Sequence, residues 1–207
     1  MTKHQLVVLG TGGHASVVID LARAAGVPVK GCAGPGAPEF GPDFGAHLGN
    51  DEALNGLDPA RVELSVGVGS IGNSDLRRRL YEKGRALGFT FAKLAHPRAI
   101  VAESAALGEG VQVMAGAVVQ PFAAIGCNVI INTGAIIEHH CRIGDHALIA
   151  PGAVVCGGAS VGEEAHIGAN STVLQGRTVG ARCMVGAGAV VVNDVADGRQ
   201  VKGVPAA

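Results

Sequence analysis

Aromatic residues are scarce in this chain of 207 residues. Tryptophan is missing, only one Tyr and five Phe are present, and aromatics total 3% although hydrophobic residues make up 48%. Ordinary globular cores use aromatic rings as large space-filling groups. A chain that has few of them and carries 33 glycines predicts thin, repeated layers of small and branched side chains.

Excess charge, long apolar runs and paired cysteines are lacking as well. The net charge is −1 and no basic run occurs, so neither nucleic acid nor an anionic membrane is a predicted partner. The apolar run Leu6–Leu9 is too short for a signal peptide, and no other run would cross a membrane. Five single cysteines without a CxxC motif favour reduced thiols and a cytoplasmic location.

A six-residue repeat fills the second half of the chain. Every sixth residue from Val101 to Val191 is aliphatic, and the next step, Asp197, ends the series. Four residues after nearly every aliphatic stands a small residue, Arg177 being the exception. Residues two apart in a strand share a face, so both point inward, and the two remaining places of each hexad form a corner.

The second corner place predicts a backbone with positive φ, because Gly and Asn dominate it. An aliphatic-Gly pair recurs every eighteen residues, so three hexads make one triangular coil of a parallel β-helix. A β-sandwich is disfavoured, because the six-residue phasing is unbroken. The predicted corner residues are Gly110, Gly116, Phe122, Asn128, Gly134, His140, His146, Gly152, Gly158, Glu164, Asn170, Gly176, Arg182, Gly188 and Asp194.

The first half alternates strands with helices, which predicts a small Rossmann-like α/β domain over residues 1–96. The break falls at His96-Pro97, because a residue before Pro resists helix; the β-helix then covers residues 97–207. Gly26 is the expected stop of the first helix. The predicted elements are the strand Leu6–Leu9, the helix Ser16–Ala25, the strand Val62–Val68 and the helix Asp75–Leu87.

A glycine loop, Gly10 to Ala15, joins the first strand to the first helix and fits the pattern G-x-G-x-x-A. Such a loop lets a phosphate approach backbone N–H groups at a helix N-terminus. The acidic residue that a redox dinucleotide site needs is missing between Val29 and Pro35. Two interpretations stay open: a phosphate-bearing ligand such as a nucleotide-sugar, and a tight turn without a ligand.

The segment Glu138-His139-His140-Cys141 is the candidate for catalysis. By the hexad phasing Cys141 points inward, Glu138 points outward, and both histidines occupy a corner. An exposed imidazole there is suited to act as a general base, and Gly157, one coil away, is expected to leave room for a ligand. A His at a positive-φ place costs about 1 kcal/mol, so His140 either has a purpose or is merely tolerated.

The other histidines of the repeat give no second site. His146 and His166 are expected to be ordinary surface residues. A histidine metal site is not predicted, because His139, His140, His146 and His166 do not repeat at eighteen residues and so do not align.

Three motifs together resemble the sialic-acid-O-acetyltransferase-like family, closest to bacterial nucleotide-sugar N-acetyltransferases. They are the glycine loop Gly10–Ala15, the segment Glu138–Asp145 and the terminal Gly203–Ala206. The resemblance implies a left-handed coil and a homotrimer with active sites between subunits. It implies acetyl-CoA as cosubstrate and, as acceptor, the 4-amino group of a nucleotide-linked sugar of the perosamine or bacillosamine-precursor type.

The resemblance also implies roles for individual residues. His139 matches the catalytic base, with His140 beside it in the catalytic pair. The nucleotide-sugar is expected on the glycine loop and on the glycine that follows the Val62–Val68 strand. Backbone amides at two corner positions, eighteen residues apart, are expected to hold the pantetheine arm of CoA. The binding positions are Gly12, Gly13, His14 and Gly69 for the substrate, and Ala169 and Ala187 for CoA.

Three positions depart from the family pattern. His140 replaces the acidic residue that usually follows the catalytic His. Leu148 replaces a His that contacts acetyl-CoA in some members. Ala33-Gly34-Pro35 replaces an acidic pair that reads uracil, which favours a guanine nucleotide. Two rival functions share the fold: an O-acetyltransferase acting on sialic acid or a related sugar, and a β-helix scaffold without activity.

Overall fold

The computed structural model describes residues 5–38, 41, 45–69 and 75–207. The chain divides into two compact units, one ending at Leu94 and the other beginning at Ala95. This division lies two residues before the boundary predicted at His96-Pro97. None of the described helices is both long enough and apolar enough to cross a membrane.

The first unit contains a five-stranded parallel sheet in the order β3-β2-β1-β4-β5. Its central strand is buried throughout Leu6–Leu9, which explains its unbroken apolar sequence. The order, with β1 in the centre, is that of a Rossmann-like half. The strands are β1 (Gln5–Leu9), β2 (Val29–Ala33), β3 (Ala46–His47), β4 (Val62–Val66) and β5 (Thr90–Phe91), and the helices are α1 (Gly13–Ala24), the 3₁₀ helix Asp51–Gly56 and α2 (Asp75–Ala86).

Two predicted boundaries of this unit move by two or three residues. Helix α1 begins at Gly13 rather than Ser16, because the extended backbone of Gly12 acts as its N-cap. Gly26, with φ +72°, ends it as predicted. Strand β4 ends at Val66 rather than Val68, because Gly67 packs against helix α1, where a Cβ would lie 2.8 Å from the Cβ of Ala15.

The second unit is a three-sided parallel β-helix built from two-residue strands. Face 1 has six strands, face 2 has five and face 3 has seven. Face 1 contains β7 (Ile100–Val101), β10 (Val118–Val119), β13 (Ile136–Ile137), β16 (Val154–Val155), β19 (Thr172–Val173) and β22 (Val190–Val191). Face 2 contains β8 (Ala106–Leu107), β11 (Ala124–Ile125), β14 (Arg142–Ile143), β17 (Ser160–Val161) and β20 (Thr178–Val179). Face 3 contains β6 (Leu94–Ala95), β9 (Gln112–Val113), β12 (Ile130–Ile131), β15 (Leu148–Ile149), β18 (His166–Ile167), β21 (Met184–Val185) and β23 (Gln200–Val201).

The predicted period is confirmed by the strand register. Ile137 pairs with Val155 and Ile143 with Val161, each eighteen residues apart. The aliphatic and small residues of successive hexads form one buried core inside the prism. Because each coil places side chains of similar size inside the prism, these side chains stack in a column and need no aromatic residues to fill the core.

The positive-φ corners are confirmed from Gly110 to Gly188, and the prediction is wrong for Asp194. The reason is that the last coil is two residues shorter than the others. Val195 bridges Val179, sixteen residues away, so the positive-φ corner falls on Gly198. The β-helix therefore continues past Val191, where the regular hexads end, to a last strand that finishes at Val201.

Candidate active site

His139 and His140 form the turn between face 1 and face 2, here called corner 1–2. Both side chains are exposed. The carbonyl of His139 accepts a hydrogen bond from Gly158 N at 2.9 Å, and His140 N donates to the carbonyl of Pro121 at 3.2 Å. The corner backbone is thus held by the coil on either side, which fixes where the two imidazoles leave the prism.

Gly157 lies beside the ring of His139. A Cβ at position 157 would lie 2.7 Å from Cε1 and 2.8 Å from Nε2 of His139, closer than side chains approach each other. The expectation that Gly157 leaves room for a ligand is therefore corrected. The missing side chain makes room for the imidazole itself, which lies against the backbone of the next coil.

A hydrogen bond joins the two histidine rings. Nδ1 of His139 lies 3.1 Å from Nδ1 of His140, and the rings meet edge-on at 83°. Phe122, one coil before His140, also contacts the His140 ring, with centroids 5.1 Å apart and 36° between the planes. Phe122 is 62% exposed and was not singled out from the sequence as functional. A Phe at a place normally held by Gly or Asn, eighteen residues before a candidate catalytic His, was the available signal.

The cysteines near this corner are poor nucleophiles. Cys141 is buried in the core as predicted, and its Sγ donates to the carbonyl of Cys156 at 3.1 Å. Burial raises the pKa of Cys141, and to a lesser degree so does the charge of Glu138. Burial and then Glu138 raise the pKa of Cys156. Both groups are therefore thiols rather than thiolates at neutral pH.

A groove runs along face 2 beside the histidines. Its floor is the outward row of the face, in which Arg142 is the charged member. Phe122 and His140 line it at corner 1–2, and Asp197 lines it as well. The small members of the outward row keep the floor low: Ala106, Ala124, Ser160 and Thr178.

The predicted CoA residues lie at a different edge, here called corner 3–1, between face 3 and face 1. Ala169 and Ala187 are one coil apart there, linked by a bond from Gly188 N to the carbonyl of Ala169 at 2.8 Å. Within the described ranges, no backbone carbonyl accepts from the N–H of either alanine. The whole width of face 1 separates these amides from His139 along one chain.

Leu148 and His146, whose places were predicted from the sequence, lie apart from the histidine pair. Leu148 is 7% exposed on face 3, where it pairs with His166. The prediction that His146 is a surface residue is wrong. It is 8% exposed at the corner between face 2 and face 3, and its Nδ1 lies 2.9 Å from Nδ2 of the fully buried Asn128.

The glycine loop of the first unit presents open backbone. Gly12 and Gly13 are exposed, and a Cβ at either would meet nothing within 4 Å. A Cβ on Gly69 would lie 3.7 Å from the Cβ of His14, so the structure brings Gly69 to this loop. The N-terminus of helix α1 favours an anion through the dipole of the helix. The four predicted substrate residues therefore lie together.

The part of the chain that the structure describes contains no ligand set for a metal ion. No three His, Cys, Asp or Glu side chains come together there in a group suited to a metal ion.

Comparisons with known proteins divide the chain as the fold does. Residues 5–84 match the PglD N-terminal domain. Residues 122–157 and 158–193 match the bacterial transferase hexapeptide (six repeats). Comparison with curated protein sequences finds no match.

Solved structures match over nearly the whole chain. The acetyltransferase domain of PglB from Neisseria gonorrhoeae FA1090, in complex with acetyl coenzyme A, is 38% identical, with a TM-score of 0.93 over 99% of this chain and 98% of that one. A mutant of the GDP-perosamine N-acetyltransferase from Caulobacter crescentus, in complex with CoA and GDP-perosamine, is 40% identical, with a TM-score of 0.91 over 98% and 95%. WeeI from Acinetobacter baumannii AYE, 22% identical with a TM-score of 0.79 over 99% of both chains, shares the fold.

These matches confirm both halves of the predicted fold class, the Rossmann-like α/β domain and the left-handed β-helix. They also confirm the resemblance that the three sequence motifs indicated. The chain belongs to the nucleotide-sugar acetyltransferase family, in which a PglD N-terminal domain precedes a hexapeptide-repeat β-helix.

Proposed function

We propose that this protein transfers the acetyl group of acetyl-CoA to the 4-amino group of a nucleotide-linked amino sugar, of the perosamine or bacillosamine-precursor type. The observation that carries the proposal is the exposed imidazole of His139, which is hydrogen-bonded through Nδ1 and held on a fixed corner. The relatives crystallised with acetyl-CoA and with GDP-perosamine support the choice of donor and acceptor. The lack of an acidic pair at Ala33-Gly34-Pro35 favours a guanine nucleotide over a uracil one.

The proposed reaction is a direct transfer with His139 as general base. The amine attacks the thioester carbonyl while Nε2 of His139 accepts the amine proton, and a backbone amide stabilises the oxyanion. The proton then passes to the sulfur as the C–S bond breaks. The raised pKa of Cys141 and of Cys156 argues against an acyl-enzyme, because neither thiol is ionised at neutral pH.

We assign the pantetheine arm to the amides of Ala169 and Ala187 at corner 3–1. Their spacing of one coil matches an extended chain lying along the prism. Because His139 lies at corner 1–2 of the same chain, the two halves of the site come together only if a neighbouring subunit supplies one of them. This supports a homotrimer with active sites between subunits.

Five free thiols favour the cytoplasm as the compartment of the protein.

The nucleotide-sugar diphosphate is assigned to Gly12, Gly13, His14 and Gly69. Glycine at the N-cap and at the first position of helix α1 leaves the N-terminus of the helix open to close approach. A nucleotide-sugar is favoured over a plain tight turn because Gly69 also lies beside this loop, next to His14.

The test is a turnover screen of the purified protein with acetyl-CoA, following release of free thiol. Acceptors are GDP-perosamine, and UDP- and dTDP-linked 4-amino sugars, each beside its 4-hydroxy counterpart. We expect turnover with an amine and a product stable to mild alkali, as an amide is. An alkali-labile product would establish the O-acetyltransferase instead. A protein that binds no CoA would be a scaffold.

A further inference from the structure

The ring of His140 is placed for a task that the fold does not require. His140 and Phe122 both have positive φ, +59° and +61°, in a conformation that glycine adopts without strain and other residues adopt at a cost. Gly158 and Gly176 occupy the next two places of the same column, with φ +69° and +67°. A β-helix corner can therefore be built at this edge without a side chain.

We propose that His140 is a positioning residue that accepts a hydrogen bond from Nδ1–H of His139, and that Phe122 fixes the His140 ring in the orientation which this bond needs. The inference rests on the proposed function, because it explains how His139 is prepared as a base. It gives the place of the acidic partner usual in the family to a neutral imidazole.

The distance between the rings requires one donor and one acceptor. Two Nδ1 atoms 3.1 Å apart share a proton only if one of them carries it and the other presents a lone pair. If His139 donates, its Nε2 is left with a lone pair and can take a proton from the amine. In the opposite arrangement a neutral His139 carries its proton on Nε2 and cannot act as base. Only the first arrangement supports catalysis.

Phe122 restricts the ring of His140. The two ring centroids are 5.1 Å apart, close enough for the aromatic faces to attract one another. Without that contact the exposed His140 side chain has several rotamers, and only some of them present Nδ1 to His139. The contact therefore lowers the entropy that must be lost each time the pair forms.

The proposed reaction moves one proton from the amine to the sulfur of CoA and leaves the protonation of His140 unchanged. One proton leaves the amine as the new N–C bond forms, and it resides on Nε2 of His139. It leaves with the thiolate when the C–S bond breaks, giving free CoA thiol and the amide. Throughout this sequence His140 stays a neutral acceptor, and the hydrogen bond spreads the transient positive charge over both rings.

Two substitutions of His140 distinguish a positioning role of its side chain from a structural one. His140→Gly removes the acceptor but relieves the corner, so we expect kcat to fall about 10- to 100-fold while KM and the thermal midpoint are maintained. His140→Asn restores an acceptor oxygen on a residue that tolerates positive φ, and we expect it to recover most of the lost kcat. Arg182→Gly, with φ +54° at the corner between face 2 and face 3, is the control and is expected to keep full turnover.

Phe122→Gly tests the second half of the proposal in the same way. It removes the ring and relieves the backbone, so we expect a smaller loss of kcat than in His140→Gly and little further loss when the two changes are combined. Losses that multiply in the double variant would show that Phe122 acts independently of His140.

The pH profile gives a readout that a structural role would not move. With His140→Glu the acceptor becomes an anion that favours protonated His139, so the acidic limb of the kcat profile should shift to higher pH. An unchanged limb, or equal kcat in His140→Gly and the unaltered protein, would overturn the proposal.

The resting protein offers a test that does not need turnover. Nitrogen NMR of ¹⁵N-histidine-labelled protein reports which ring nitrogen carries the proton, and we expect the Nδ1–H form for His139, lost in His140→Gly. An Nε2–H form of His139 in the unaltered protein would refute the inference even if acetyl transfer is confirmed. Conversely, absence of thiol release with every acceptor, together with the expected NMR result, would refute the proposed function and leave the ring pair intact.

Discussion

At the scale of the residue, the site depends on the absence of one side chain as much as on the presence of another. The ring of His139 fills the space where residue 157 would have a Cβ. Other corners hold residues with a Cβ at the first place, among them Ala169 and Ala187, so the backbone of the β-helix accepts a methyl group there. The demand for glycine at position 157 therefore comes from the imidazole alone.

Gly157→Ala should displace the His139 ring and lower kcat by at least about tenfold, because general-base catalysis depends on reach to the proton. The thermal midpoint and kcat of the variant would be measured beside those of the unaltered protein. His139→Ala/Gly157→Ala is the matched control. With the ring gone the new methyl has space, and the second change should have no further effect on either quantity. An additional loss in the double variant would mean that the methyl harms the coil itself.

His139→Ala should reduce kcat by about 100- to 10,000-fold, the usual share of a general base. The side chain is exposed, so the thermal midpoint should stay within a few degrees of that of the unaltered protein. Steady-state thiol release and a melting curve check the two halves of this expectation. Near-normal turnover would remove His139 from the mechanism.

Cys156 lies next to Gly157 and is the thiol to exclude. Its pKa is raised from an ordinary value of 9.0, so at pH 7 less than about 1% of it is thiolate. Cys156→Ser should retain kcat within about twofold, since direct transfer needs no acyl-enzyme. In the unaltered protein, alkylation of this thiol by iodoacetamide should be slow at pH 7 and rise with pH through 9. An acetylated protein in intact mass spectra after acetyl-CoA alone would contradict both expectations.

At the scale of the element, each corner from Gly110 to Gly188 is a two-residue turn whose second place is left-handed. Seven such places carry side chains rather than glycine, and the five that are not Asn each cost about 1–2 kcal/mol relative to a relaxed backbone. Arg182→Gly should raise the free energy of unfolding by about 0.5–1 kcal/mol, because the greater entropy of unfolded glycine offsets part of the relief. Denaturant unfolding measures this change, and a destabilised variant would indicate that the Arg182 side chain contributes more than its strain.

Period and phase were enough to predict most of this architecture. A six-residue step determines which residues point inward. A corner with φ near +60° favours Gly and Asn over other residues. The shortened last coil was not predictable from the hexads, because Val195 and Val201 belong to a series displaced by two residues. Helix α1 was predicted to begin too late because its N-cap is a glycine, which carries no side-chain signal.

The site was predictable only in part, for a similar reason. Phasing placed His139 on a corner, since that depends on the backbone alone. The bond between the two imidazoles and the contact with Phe122 depend on rotamers, which the hexad pattern does not determine. His146 was misjudged because corner places differ in how deeply they are covered, and neighbours such as Asn128 from the adjacent coil decide this.

At the scale of the whole molecule, the proposed trimer makes a sharp prediction about shared sites. His139→Ala and Ala187→Trp should each be inactive alone, the first lacking the base and the second obstructing the pantetheine arm. Co-expressed in equal amounts, they should recover about one quarter of normal activity, because one site in four then combines two intact halves. Activity that stays at background would mean that a single subunit supplies both halves. Glu163→Trp, at the first place of the corner between face 2 and face 3, controls for bulk and should stay active.

The backbone hydrogen bonds that hold corner 1–2 join Pro121 to His140 and His139 to Gly158, and neither of them uses a side chain. The backbone that supports the corner is therefore independent of the side chains proposed to carry out proton transfer. Exchanging an acid for an imidazole at position 140 alters the proton chemistry of the edge without touching the ladder that supports it. A designer who wants a different acid–base pair in this enzyme can begin at these two positions, with the coil left as it is.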